Sequence, residues 1–143
     1  MFTEREHIVE LCNKLFIYTD QRHWNKLLED VFTPEVHFDM SSAGGEKAKT
    51  VSAAAICDGW KNSLKDLDAI HHQAGNYLIT IGEHGADIFC YAIASHFKAD
   101  AGHGLTRNYS GSYHLHATYT PRGWRLDGFK YHLKFATGNL ESK

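Results

Sequence analysis

Over the first part of the chain the apolar positions recur at helical spacing. Ile8, Leu11, Leu15 and Phe16 form one stripe, and Thr3 followed by Glu6 has the form of a capping box ahead of it. This predicts an amphipathic first helix. Trp24, Leu27, Leu28 and Val31 predict a second, short helix that ends before Pro34, whose ring disfavours helical backbone at the preceding residue. Val36 to Met40 reads as a strand. The small, polar run from Ser41 to Lys49 predicts a loop over one end of the fold, and Ser52 then caps a third helix with Ala53, Ile56, Trp60 and Leu64 on its apolar face.

Beyond Asp68 the pattern changes. Tyr77, Ile79, Ile81, Ile88, Phe89, Tyr91, Ile93, Tyr113, Tyr119, Trp124 and Phe129 fill β-prone segments separated by Gly, Asn, Asp or Pro. Helices first and consecutive antiparallel strands afterwards predict an α+β domain, with the sheet curling around a cavity roofed by the helices.

At 143 residues the chain has the size of one domain, so residues 1–143 are expected to form a single unit. A formal net charge of -2 with mixed signs gives no electrostatic reason to expect nucleic acid or an anionic membrane as partner. No apolar run approaches the ~20 residues of a membrane span, and the opening residues lack the pattern of a signal peptide, so a cytoplasmic location is expected. Cys12, Cys57 and Cys90 are odd in number and set in apolar surroundings, as reduced core thiols are.

Three ionisable residues stand out for chemistry. Asp20 lies four residues after Phe16 and nine after Leu11, near the stripe that faces the core, where a carboxylate needs a partner. His72 and His96 lie in strand-like segments. His71 points to the opposite face from His72, and His96 shares strand parity with Ile88, Cys90, Ala92 and Ala94, a row of small and apolar groups that leaves room for a ligand. An imidazole changes charge near neutral pH, and a carboxylate bonded to it fixes its tautomer, so these three residues suffice for proton transfer without a metal or other cofactor. His114 and His116 share a strand face and His132 can approach them, yet no further ligand sits at a diagnostic spacing, so no metal is expected. Gly111-Ser112-Tyr113 is not a nucleophile elbow, and no phosphate-binding glycine loop occurs.

Tyr18-Thr19-Asp20 followed by Trp24, then Phe32-Thr33-Pro34-Glu35-Val36-His37-Phe38-Asp39, His72-Gln73-Ala74-Gly75-Asn76 and Gly123-Trp124-Arg125-Leu126, resemble in order and spacing the nuclear transport factor 2-like superfamily, in its SnoaL-like branch related to scytalone dehydratase. The resemblance runs over nearly the whole chain. It implies a cone-shaped, curved, mostly antiparallel sheet around a cavity with three N-terminal helices, a cystatin-like α+β barrel. It also implies a homo-oligomer, dimer or trimer. In scytalone dehydratase an aspartate near the end of the first helix and two strand histidines eliminate water, and Asp20, His72 and His96 match them. The tyrosine pair that polarises the carbonyl there is replaced here by Thr19 and Met40. Tyr18, Tyr91 and Tyr113 are candidates to supply a phenol, and with Met40 and Trp60 they make up the expected substrate-binding set.

This cone-shaped fold hosts several activities, so function is argued from the site. The first expectation is a cofactor-independent lyase acting on a small cyclic or polyketide-like carbonyl compound, with His96 oriented by Asp20 as base and His72 passing a proton to the departing hydroxyl. The two histidines can exchange roles. An isomerase or polyketide cyclase would use the same proton removal, and a noncatalytic module would use the same cavity to bind a small apolar or aromatic ligand.

Overall fold

In a computed structural model of the chain, residues 1–141 are described. The first helix, α1 (Glu4–Asp20), begins at Thr3, whose side chain accepts the Glu6 N–H, and buries Ile8, Leu11, Cys12, Leu15 and Phe16. The second helical segment is a single α-turn, α2 (Trp24–Lys26), that widens into a π-helical turn over Leu27–Val31. Strand β1 (Phe32–Asp39) starts earlier than the apolar pattern indicates and takes in Pro34. Proline fits because the pairing of β1 with β6 (Gly123–Gly138) is irregular between Phe32 and His37, where a missing N–H breaks no ladder.

The polar run after β1 holds a 3₁₀ turn over Ser41–Ala43 and leads into β2 (Lys49–Ser52), a four-residue strand too short to show a period. Helix α3 (Ala53–Leu64) follows, with the Ser52 hydroxyl accepting the Ala55 N–H. Then come β3 (Ala69–Gly82), β4 (Gly85–Phe97), β5 (Thr106–Thr120) and β6. The sheet order is β2-β1-β6-β5-β4-β3, antiparallel throughout except for the parallel pair β1/β6. This is the expected α+β architecture. The curved sheet stays open, with β2 and β3 as its edges.

The core fills the space between the helices and the inner sheet face. Ala86, Ile88, Cys90, Ala92 and Ala94 alternate inward along β4, and Tyr113, Leu115 and Ala117 do so along β5. All three cysteines are buried and unbridged, and burial raises the thiols of Cys57 to about 11 and Cys90 to about 12. They are inert packing groups.

Arg22, just beyond α1, is left-handed (φ 60°). Glycine is the usual residue for this backbone. Arginine is held there because its guanidinium donates to the Leu64 carbonyl at 2.8 Å and the Leu67 carbonyl at 2.6 Å, clasping the end of α1 to the end of α3.

Candidate active site

Asp20 is the last residue of α1, a helix with no basic side chain in its final turn. A carboxylate at that end opposes the helix dipole and needs donors from elsewhere. The edge strand β3 supplies them. His72 donates its backbone N–H to Asp20 Oδ2 at 2.8 Å, and its ring Nδ1 lies 2.5 Å from Oδ1. Both side chains are largely buried, 11% exposed for His72 and 15% for Asp20. With Nδ1 committed to the carboxylate, Nε2 is the nitrogen left for chemistry.

The histidine oriented by Asp20 is therefore His72, whereas the sequence reading paired Asp20 with His96. The difference arises because the backbone N–H of an edge strand can anchor the carboxylate beside its own side chain, and β4, which carries His96, lies between two other strands. His96 has no hydrogen bond to Asp20. Its ring packs on Tyr109 (centroids 5.2 Å), and its pKa falls to about 4, first through burial and then through the neighbouring charges of His72 and Arg107, against a smaller opposing effect of Asp20. At neutral pH His96 is an uncharged hydrogen-bonding group.

His72 and His96 line one cavity of about 370 Å³. That volume suits a small organic ligand. Phe16, Met40, Trp60 and Phe129 supply apolar wall, and Phe16 lies 5.4 Å from the His72 ring, centroid to centroid. Of the candidate substrate-binding residues, Met40, Trp60 and Tyr113 line the cavity. Tyr18 and Tyr91, expected in the same set, lie outside it. Tyr18 stands at the α1 end under the Lys26 ammonium (5.2 Å) and beside His23. Tyr91 is 43% exposed on the outer sheet face with Lys134 Nζ 4.3 Å above its ring, because its parity on β4 is opposite to that of His96.

Tyr109 and Tyr131 also line the cavity, beyond the set expected from the sequence. Their signal was strand parity: Tyr109 is two positions from Gly111 and four from Tyr113, and Tyr131 two from Phe129. Thr19 lines the cavity too, but its hydroxyl donates back to the Leu15 carbonyl at 2.7 Å.

Outside the cavity, His116 Nδ1 is bonded to Asp127 Oδ1 at 2.6 Å, and His114 packs edge-on against Phe89. Among the described residues no group of three or more His, Cys, Asp or Glu side chains is arranged to hold a metal ion. No helix among them is long and apolar enough to cross a membrane.

Comparison with known families decides the assignment, since the family model for the SnoaL-like domain matches residues 1–130. The chain belongs to the SnoaL-like domain family. Similar solved structures include a protein from Kribbella flavida, 24% identical, covering 94% of this chain and 93% of its own with a TM-score of 0.87. Another, from Novosphingobium aromaticivorans and provisionally assigned as a scytalone dehydratase, is 15% identical over 91% of this chain and 83% of its own, with a TM-score of 0.74. A third is the type-3 hexachlorocyclohexane dehydrochlorinase LinA of Novosphingobium barchaimii, 10% identical over 95% of this chain and 90% of its own, TM-score 0.76. At these identities the likeness is one of fold. No curated protein matches the sequence.

Proposed function

We propose that this SnoaL-like protein is a cofactor-independent lyase that removes a proton next to the carbonyl of a small cyclic or polyketide-like compound. The observation that carries this reading is the His72 imidazole, tied through Nδ1 to Asp20 and set in the wall of a largely apolar cavity. Asp20 holds the tautomer that leaves Nε2 as acceptor and stabilises the imidazolium formed when the proton arrives. His96, uncharged, donates a hydrogen bond to the departing oxygen, and the His72 imidazolium returns its proton there to complete the loss of water. Elimination is also the chemistry in the names of two similarly folded proteins, the provisional dehydratase and the dehydrochlorinase.

One observation favours a second reading, an isomerase or cyclase. With His96 held at about 4 and so uncharged at neutral pH, His72 is left as the one histidine to carry the transferred proton, and a single base that returns its proton to another carbon is all that an isomerase needs. Incubation with cyclic ketones and their β-hydroxy derivatives in D2O separates these readings. Deuterium at the carbon next to the carbonyl reports the base, and loss of water from the hydroxy derivative reports the lyase. A protein that binds such compounds yet promotes neither change is a binding module, and the enzymatic reading is then wrong.

A further inference from the structure

A cation stands beside the candidate site with no partner among the described residues. Arg107, near the start of β5, is the register partner of His96 on β4, so the two side chains share one face of the sheet. That face is the inner one, because Arg107 has the strand parity of Tyr109 and Tyr113, which line the cavity. Arg5, Arg22 and Arg125 each donate to a backbone carbonyl, and Arg122 is exposed beside the β5–β6 turn, where water serves it. Arg107 is half-buried, and its guanidinium makes no hydrogen bond and no ion pair among the described residues. Five N–H donors and a permanent charge are left unmatched.

The surroundings leave that charge for something outside the protein. Arg107 and His96 line a cleft of about 80 Å³ at the end of the sheet, and His96 also lines the larger cavity, so one imidazole belongs to both. A void of ~150 Å³ is needed to hold benzene, so the cleft has room for a small polar group and none for a ring. Asp66, Lys98 and Glu141 line it as well. Glu141 is turned to His103 at 3.4 Å, Asp66 is exposed, and neither carboxylate forms an ion pair with Arg107. Asp20, the carboxylate of the site itself, is committed to His72 by two hydrogen bonds. A half-buried guanidinium without a partner has given up hydration for nothing in return, and its planar fork matches a carboxylate through two parallel bonds.

We propose that the substrate carries a carboxylate, which Arg107 holds in this cleft while the ring system fills the cavity. This deepens, and rests on, the reading of His72 as the base that acts on a cyclic carbonyl compound. The register sets the layout. His72 stands opposite Ala94, and Ala94 opposite Tyr109, so Arg107 is two strands and one pleat repeat from His72, roughly 12 Å by strand spacing. An acid group at Arg107 therefore lies at the other end of the ring system from the C–H bond that His72 breaks, and it fixes which carbon faces Nε2. Arg107 binds and orients; it moves no proton. Neutral ketones of the same shape are then poor substrates.

The test uses 1-tetralone-6-carboxylate, whose acid group lies across the bicycle from the carbonyl, and its primary amide, which has the same shape without the charge. The wild type should bind the acid about ten- to a hundredfold more tightly than the amide, the scale of a charge-assisted, two-bond pair. Arg107→Gln should lose that preference and bind the amide as the wild type does, and Lys98→Gln should keep the preference. The proposal is overturned if the wild type binds the acid no more tightly than the amide, binding of neither included. It is overturned equally if Arg107→Gln weakens both ligands alike, or if Lys98→Gln removes the preference as fully as Arg107→Gln. Deuterium exchange next to the carbonyl of the acid, in the wild type and in His72→Ala, keeps the two readings apart. An Arg107-dependent preference with exchange unaffected by His72→Ala supports the anion site and sinks the base. Exchange lost in His72→Ala, with no preference for the acid, keeps the base and sinks the anion site.

Discussion

Asp20 and His72 are joined by two hydrogen bonds at once, one from the His72 backbone N–H to Oδ2 and one between Oδ1 and ring Nδ1. The backbone of β3 anchors the carboxylate and the carboxylate orients the ring. An asparagine has one acceptor oxygen for these two donors, so in Asp20→Asn the amide nitrogen faces either the backbone N–H or the ring. The ring then loses its charged partner and can take the other tautomer, with the proton on Nε2. Asp20→Asn should lower turnover nearly as far as His72→Ala, roughly 10²–10⁴-fold, with the double variant little worse than either. Deuterium exchange rates for the four proteins check this, and a fully active Asp20→Asn would sink the dyad.

His96 makes stability depend on pH. Its pKa is 6.5 in the ordinary case and about 4 in the folded protein, so above pH 6.5 neither the folded nor the unfolded chain is protonated there. Between these values the unfolded chain takes up a proton that the folded one refuses. Stability therefore falls as pH drops from about 6.5 to about 4 and loses nothing more from this group below that. Allowing for partial solvent screening, the loss is on the order of 1–2 kcal/mol. Urea midpoints at pH 7 and pH 5 should converge in His96→Asn, and an unchanged difference would assign the effect to another group.

The Arg22 clasp separates backbone from side-chain effects. Arg22→Ala loses both bonds to the end of α3 and keeps the left-handed backbone, so it should destabilise by roughly 2–4 kcal/mol. Arg22→Gly loses the same bonds but relieves the backbone, and should be the more stable of the two by about 1 kcal/mol. Denaturant unfolding of both variants measures the difference. Equal stabilities would show that the left-handed conformation carries no strain.

Activity should survive exhaustive chelation. The proposed proton acceptor is His72, and the neighbouring pair is engaged otherwise, His116 with Asp127 and His114 with Phe89. Elemental analysis of tag-free protein, alongside the exchange assay with and without chelator, tests this. A stoichiometric transition metal at His114 and His116, with activity lost on its removal, would overturn it.

What the sequence alone determined is local in origin. Helical spacing from Ile8 to Phe16, the caps at Thr3 and Ser52, and the change to β-prone segments after Asp68 all act between near neighbours, so they mark α1, α3 and the sheet without knowledge of the fold. Strand parity likewise places His96 in the inward row of β4, and it would have excluded Tyr91 and pointed to Tyr109. The tertiary structure decided what depends on which strand lies at an edge and which groups meet across the cavity. β2 is too short to carry a period, and Pro34 enters β1 only because the pairing with β6 is irregular there. Asp20 meets His72 and not His96 because β3 is an edge strand whose N–H reaches the end of α1, fifty-two positions away along the chain. Arg107 stands opposite His96 through the register of β4 and β5, and no spacing within either segment encodes that pairing.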